Sequence, residues 1–277
     1  MATRSSPAGI VDLILVGYSP EQIPAAMEAC EQAFGKLALR QKILVLNLPG
    51  SPSPSDAAFA RDGWRALPGS NALGEFSGWQ EGLAALGPID DAGRVVFAND
   101  TLGGYRRRSR AEAWALRAAI VRAGGESLVG FTGDSDGSPP GLSILGQALD
   151  GWMSTFCFAL SGRSLTRLGG QLYETGSLDA CVRGGTDASC FFTDEVSEAL
   201  RRHLVWWLFE GGWRRSEALT AESEPRLVFK ARCICAELLL SARCRAAGIE
   251  IVDPLRRNWV MRLVEAADEA RLSLLGR

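Results

Sequence analysis

Histidine is almost missing from this chain: His203 is the sole one among 277 residues. That scarcity argues against a Ser-His-Asp or Cys-His machine, each of which needs an imidazole beside its nucleophile. It also leaves a zinc site with at most one imidazole ligand. Cys233-Ile-Cys235 does not complete the set, because the spacing is not CxxC and no second pair accompanies it. His203 lies inside a helical run and reads as a packing residue. The seven cysteines are odd in number and sit mostly in apolar surroundings, so reduced core thiols in a reducing compartment are expected.

Long apolar runs are missing too. Stretches such as 11–18 and 204–209 fall far short of the roughly 20 residues that span a bilayer. Asp12 interrupts the first apolar run, which argues against a signal peptide. A cytoplasmic protein is expected. Charge of one sign is also lacking: the formal net charge is -2, so no global field recruits nucleic acid. Arg106, Arg107, Arg108 and Arg110 cluster locally, as do Arg256 and Arg257. These read as solvated surface or as attraction to phosphates or anionic lipid. Finally, no Gly-rich basic phosphate loop follows the first strand, which argues against a nucleotidyltransferase.

What is present is an alternation of buried-type strands and helices. Residues 1–9 are small and polar and expected to be disordered. Residues 11–17 form an apolar run, broken by Asp12 alone, that ends in Gly-Tyr-Ser-Pro, the pattern of a buried parallel strand and turn. Helical spacing covers 21–39, with Ile23, Ala26, Met27, Cys30, Ala33 and Phe34 on one face. A second strand spans 42–48, a loop 49–56, a short helix 79–86 and a third strand 94–98. Further on, 111–123 reads as helix, 127–132 as strand and 133–141 as loop. Residues 149–160 read as strand or buried helix, 162–190 as irregular, and 194–209 as a helix capped by Thr193 or Asp194. Residues 228–246 and 255–275 are helical and amphipathic. This order predicts an α/β fold: a doubly wound, mostly parallel sheet with helices on both faces and a helical C-terminal extension. The expected division is a main domain over 10–225 and an extension over 226–277 packed on it.

In such sheets ligands bind beyond the carboxyl ends of the strands. Here those ends carry Gly17-Tyr18-Ser19, Asn47 and Asn99-Asp100. Tyr18 is suited to stack on a nucleotide base and Asn47 to pair with its edge. The pair Asn99-Asp100 follows four apolar residues and precedes Thr-Leu-Gly-Gly. A carboxylate there suits Mg²⁺ or Mn²⁺ held against a pyrophosphate, with Asn99 on the nucleotide sugar or in the metal shell. Equally, Asn-Asp can simply start a turn. Asn71 and Gly74 precede the helix at 79, where glycine lets a phosphate or ribose approach backbone N–H groups; a helix N-cap explains the pair as well. Asp194-Glu195 offers a general base for an acceptor hydroxyl, or a helix cap and nothing more.

These residues also carry a resemblance. The segment Asn71-Ala-Leu-Gly-Glu-Phe-Ser-Gly-Trp79 and the strand Val95-Val-Phe-Ala-Asn99-Asp100 resemble GT-A-type glycosyltransferases, most closely the rhamnan-synthesis F-type family of polysaccharide glycosyltransferases. Gly130-Phe131-Thr132, the aromatic stretch Trp152-Met-Ser-Thr-Phe156, Glu195-Val-Ser197 and Val228-Phe229-Lys230 follow in the family's order. The chain departs from it where the family has His-x-Gln-Ser: Gly151 and Met153 stand for His and Gln, while Ser154 remains. The resemblance implies an inverting transferase acting on a nucleoside diphosphate sugar, with a dTDP-sugar favoured and L-rhamnose one candidate, and on a growing surface polysaccharide or lipid-linked glycan. Tyr18, Asn47, Asn71 and Gly74 would line the nucleotide site. Asp100 would contact metal or diphosphate beside Asn99, and Glu195 or Asp194 would be the catalytic base. A basic amphipathic C-terminal helix carrying Arg256, Arg257 and Arg262 would allow peripheral contact with the inner membrane. The competing expectation is a catalytically silent GT-A-like module within a polysaccharide assembly.

Overall fold

The computed structural model describes residues 10–48, 63–103, 110–133, 141–212 and 216–255. The expected frayed N-terminus, the 49–56 loop, most of the 133–141 loop, the Arg106–Arg108 cluster and the 255–275 helix with Arg256, Arg257 and Arg262 lie outside them. The chain divides into two compact units.

The first unit comprises 1–131, 154–170 and 248–277. Its strands are β1 (Val11–Gly17), β2 (Leu39–Leu46), β3 (Trp64–Pro68), the two-residue β4 (Ala72–Leu73), β5 (Arg94–Asn99) and β6 (Ser127–Thr132). Later strands are β9 (Met153–Ser161) and β10 (Glu250–Val252). Seven of them form one sheet in the order β10-β6-β9-β5-β1-β2-β3. β1 runs parallel to β2 and β5, β2 to β3, and β6 to β10, whereas β9 is antiparallel to β5.

Helices cover both faces. The strand residues Val11, Leu13 and Leu15 join a core with Ile23, Met27 and Phe34 of α1 (Ile23–Phe34) and Leu116 and Ile120 of α3 (Arg110–Arg122). The alternate residues Ile14 and Val16 meet α2 (Gly74–Leu86) on the other face, as the period of two along a strand dictates. Gly78 and Gly82 let α2 approach closely: a Cβ on Gly82 would stand 2.5 Å from Ile14, and one on Gly78 2.9 Å from Val16. Trp79, fully buried, donates its Nε1–H to the Ala98 carbonyl at 2.9 Å. Its ring meets Phe97 and Phe158 edge-on, and these two stack as a cross-strand pair 4.9 Å apart. Asp12, buried within β1, is satisfied by a bidentate pair with Arg40 at 3.0 and 2.6 Å.

Several elements differ from expectation. β3 lies in a stretch with weak alternation and is half-exposed at the sheet edge. Of residues 149–160, expected as strand or buried helix, 153–160 fall in strand β9 and 149–152 precede it. The stretch 162–190 is not wholly irregular, because it holds α4 (Gly162–Arg167) and α5 (Thr175–Cys181). The span 226–277 is not a purely helical extension, since Glu250–Val252 pairs with β6 as a sheet strand.

The second unit comprises 132–153 and 171–247. It contains the hairpin of β7 (Ser143–Ile144) and β8 (Gln147–Ala148), and α5, α6 (Glu198–Phe209) and α7 (Glu224–Ala246). α7 is tied to its surroundings by Arg232–Asp179 at 2.7 Å and Arg243–Glu174 at 3.1 Å, and by Ser241, whose hydroxyl accepts the Met153 N–H at 2.8 Å. His203 is half-buried and tilted against Trp206. Among the described residues no helix is long and apolar enough to cross a membrane.

Candidate functional site

From β1 the chain steps to β2 on one side, while β5 pairs with β1 on the other. The carboxyl ends of β1 and β5 therefore flank the point where the strand order reverses, the place where open α/β sheets bind ligands. Asp100 stands there, immediately after β5 and only 5 % exposed. Its Oδ2 accepts the backbone N–H groups of Tyr18 at 2.6 Å and Ser19 at 2.8 Å, and its own N–H donates to the Val16 carbonyl at 2.9 Å. Burial raises the Asp100 carboxyl above the ordinary carboxylate range, and the two N–H donors counter part of that rise.

Asn99 closes the turn after β5: its Oδ1 accepts the Thr101 N–H at 3.1 Å and its carbonyl the Leu102 N–H at 3.0 Å. The turn-starting role is thus filled by this residue. Asn47 follows β2, buried, and donates through Nδ2 to the Gly74 carbonyl at 2.9 Å and to the Tyr18 hydroxyl at 3.4 Å. Its Oδ1 is packed against Gly69, where a Cβ would stand 1.9 Å away. The Asn47 Nδ2 is therefore engaged in joining β2 to the start of α2, while its buried Oδ1 has no hydrogen-bond partner among the described residues.

Asn71 and Gly74 both have positive φ, 52° each. The α2 N-cap position is Leu73, with no side-chain cap, and Ser77 accepts the Leu73 N–H at 3.0 Å. Neither Asn71 nor Gly74 is the cap that an NxxG reading allows. Of the Asn71–Trp79 segment, Gly74, Gly78 and Trp79 thus serve the seating of α2 on the sheet. Glu75 in its first turn does not. Its Oε2 accepts from the Tyr18 hydroxyl at 3.4 Å, and burial, reinforced by the negative charge of Asp100, raises its carboxyl above the ordinary range. Sequence reading passed over Glu75 as a site residue. The signal was an acid directly after a glycine at the mouth of a helix, but its partner Tyr18 lies 57 residues away.

The structure therefore brings Gly17, Tyr18, Ser19, Asn47, Gly74, Asn99 and Asp100 to one end of the sheet and adds Glu75. The Tyr18 and Ser19 N–H groups are already taken by Asp100, so among the described residues this end offers carboxylates and not an open amide cradle. Among the described residues no group of three or more His, Cys, Asp or Glu could hold a metal. The donor set fits Mg²⁺ or Mn²⁺ only as a single contact, through the remaining oxygen of Asp100. These ions tolerate that arrangement when phosphates and waters supply the other ligands.

Asp194 and Glu195 belong to the second unit. They precede α6 and do not cap it, for that helix begins at Glu198 with Ser197 at its N-cap position. Both side chains are exposed. Asp194 is ion-paired with Arg201. Glu195 projects from a clamped backbone: its N–H donates to Thr193 Oγ1 at 3.3 Å and its carbonyl accepts the Leu145 N–H at 2.7 Å. Thr193 is tied in turn to the Cys181 carbonyl at 3.0 Å.

No protein-family model, curated protein or solved structure matches this chain.

Proposed function

We propose that this protein is a glycosyltransferase that binds a nucleoside diphosphate sugar at the carboxyl end of its sheet and transfers the sugar to a hydroxyl of a glycan. The observation that carries the reading is Asp100 at the strand-order reversal, bonded across to the Tyr18–Ser19 turn. A mostly parallel sheet with one antiparallel strand set beside β5 is consistent with the GT-A-type fold that the resemblance implies. Tyr18 offers a ring for the base, and Asp100 offers one oxygen to a divalent ion carried by the diphosphate. When bound, Mg²⁺ or Mn²⁺ offsets the charge of the leaving diphosphate.

Because both N–H groups of the first turn are occupied by Asp100, the described residues at this end supply little to neutralise a diphosphate. Binding of a nucleoside diphosphate is accordingly expected to require the ion. The base is assigned to Glu195 in preference to Asp194, whose carboxylate is engaged by Arg201. A base that deprotonates the acceptor as it attacks the anomeric carbon implies one displacement, with inversion. A polysaccharide or lipid-linked acceptor and a dTDP-sugar donor are what the resemblance adds.

Thermal shifts with dTDP, UDP, GDP, CDP and CMP, each with and without Mn²⁺, test the site. Stabilisation by one diphosphate only with Mn²⁺, lost in Asp100→Ala, is the expected result. No response to any of the five removes the donor site. For the base, Glu195→Gln is expected to abolish sugar transfer while diphosphate binding persists, and Asp194→Asn to keep turnover. Full activity in Glu195→Gln ends that assignment.

A further inference from the structure

The outer ridge of α3 has a composition that neither the fold nor the proposed site uses. Its inward residues Ala115, Leu116, Ala119 and Ile120 are buried. On the opposite side Trp114 and Val121 are each 47 % exposed, and Ala118 lies between them at helical spacing. Arg117 and Arg122 flank this apolar stripe on its two sides. Lys36, at the end of α1, lines the same shallow depression as Arg117, Ala118, Val121 and Arg122. Three cations thus border an exposed tryptophan and aliphatics, with no acid among the residues lining the depression.

We infer that this ridge is a membrane-docking surface, with Trp114 and Val121 entering the headgroup layer of a bilayer and Lys36, Arg117 and Arg122 meeting anionic phospholipid phosphates. Charge complementarity selects the occupant. A protein partner of ordinary surface would leave three cations to be matched one by one, whereas an anionic bilayer matches them at any rotation about its normal. Tryptophan favours the interface because its ring is apolar and its N–H polar. Arginine and lysine stems lie along apolar surface while their charged ends reach the phosphates. The inference does not depend on the transferase reading, since its readout is lipid binding.

The test is co-sedimentation of the full chain with vesicles of phosphatidylcholine alone and of phosphatidylcholine with phosphatidylserine. Binding to the second and not the first is expected, weakening with salt. Lys36→Gln with Arg122→Gln should lower the partition coefficient about 25-fold, at roughly fivefold for each cation. Both residues are exposed, so the melting temperature should hold. Arg117 is left intact because it donates to the Ala33 carbonyl at 3.1 Å. Separately, quenching of tryptophan fluorescence by brominated phospholipid should be seen in the native chain and lost in Trp114→Phe. Equal sedimentation with both vesicle types would overturn the inference, as would unchanged binding by the charge variant or quenching that survives Trp114→Phe. So would a dimer in sedimentation analysis that Val121→Ser dissolves, because the ridge would then face a second copy.

Discussion

At the scale of single residues, Asp100 works as a latch between two strands. Removing its carboxylate leaves the Tyr18 and Ser19 N–H groups without their partner in a half-buried turn. Asp100→Ala is therefore expected to lower unfolding free energy by about 2–3 kcal/mol, read from urea denaturation. Glu75 predicts a pH effect. Its folded carboxyl is raised above the ordinary 4.5, chiefly by burial and also by the Asp100 charge. The protonated form is the one the fold prefers, so the stabilisation is complete below pH 4.5 and is lost as pH rises through the folded value. Glu75→Gln should flatten that decline, with urea midpoints measured between pH 4 and 7. The same slope in both proteins would show that Glu75 is not its source. Asp100 was legible in the sequence because an Asn-Asp pair closing four apolar residues stands out in one dimension. Glu75 was not, since what distinguishes it is a hydroxyl brought from β1 and a second carboxylate brought from β5.

At the scale of elements, α2 shows how closeness can outweigh propensity. Glycine in mid-helix usually costs about 1 kcal/mol against alanine, so Gly82→Ala would stabilise an isolated helix. Here the added methyl would stand 2.5 Å from Ile14. Overpacking of that kind costs about 1–3 kcal/mol, and Gly82→Ala is expected to lower the melting temperature. A raised melting temperature would mean that α2 can lift from the sheet without loss. The strongly periodic or continuous apolar elements, β1, α1, β5 and β6, were readable from the sequence. β3 escaped because an exposed edge strand carries little hydrophobic signal. The start of α6 was misplaced because Asp194-Glu195 has the composition of a cap, while the backbone there is held by β7 and the Glu195 carbonyl.

At the scale of the whole molecule, chain order and spatial order part company. β9 occupies the sheet between β5 and β6, although both precede it in sequence, and β10 completes the edge after the whole of α7. A fragment ending at residue 131 has β5 and β6 but not the strand that joins them. It is expected to show no cooperative thermal transition by circular dichroism. A sharp transition in that fragment would mean that β5 and β6 can close on each other. Local pattern predicted a mostly parallel sheet, but no local pattern announces that one strand enters it backwards. That information lies in pairings such as Phe97 with Phe158 across 61 residues of sequence.

The late arrival of β9 also bears on synthesis. Once β5 has left the ribosome, its run of Val95, Val96 and Phe97 presents an unpaired apolar edge until about sixty further residues have been translated. At roughly 5–20 residues per second that interval is about 3–12 s, long enough for capture by a holding chaperone or for pairing with the same edge on a neighbouring nascent chain. Yield on expression should thus respond to translation speed between β5 and β9, a quantity that the finished fold no longer reveals.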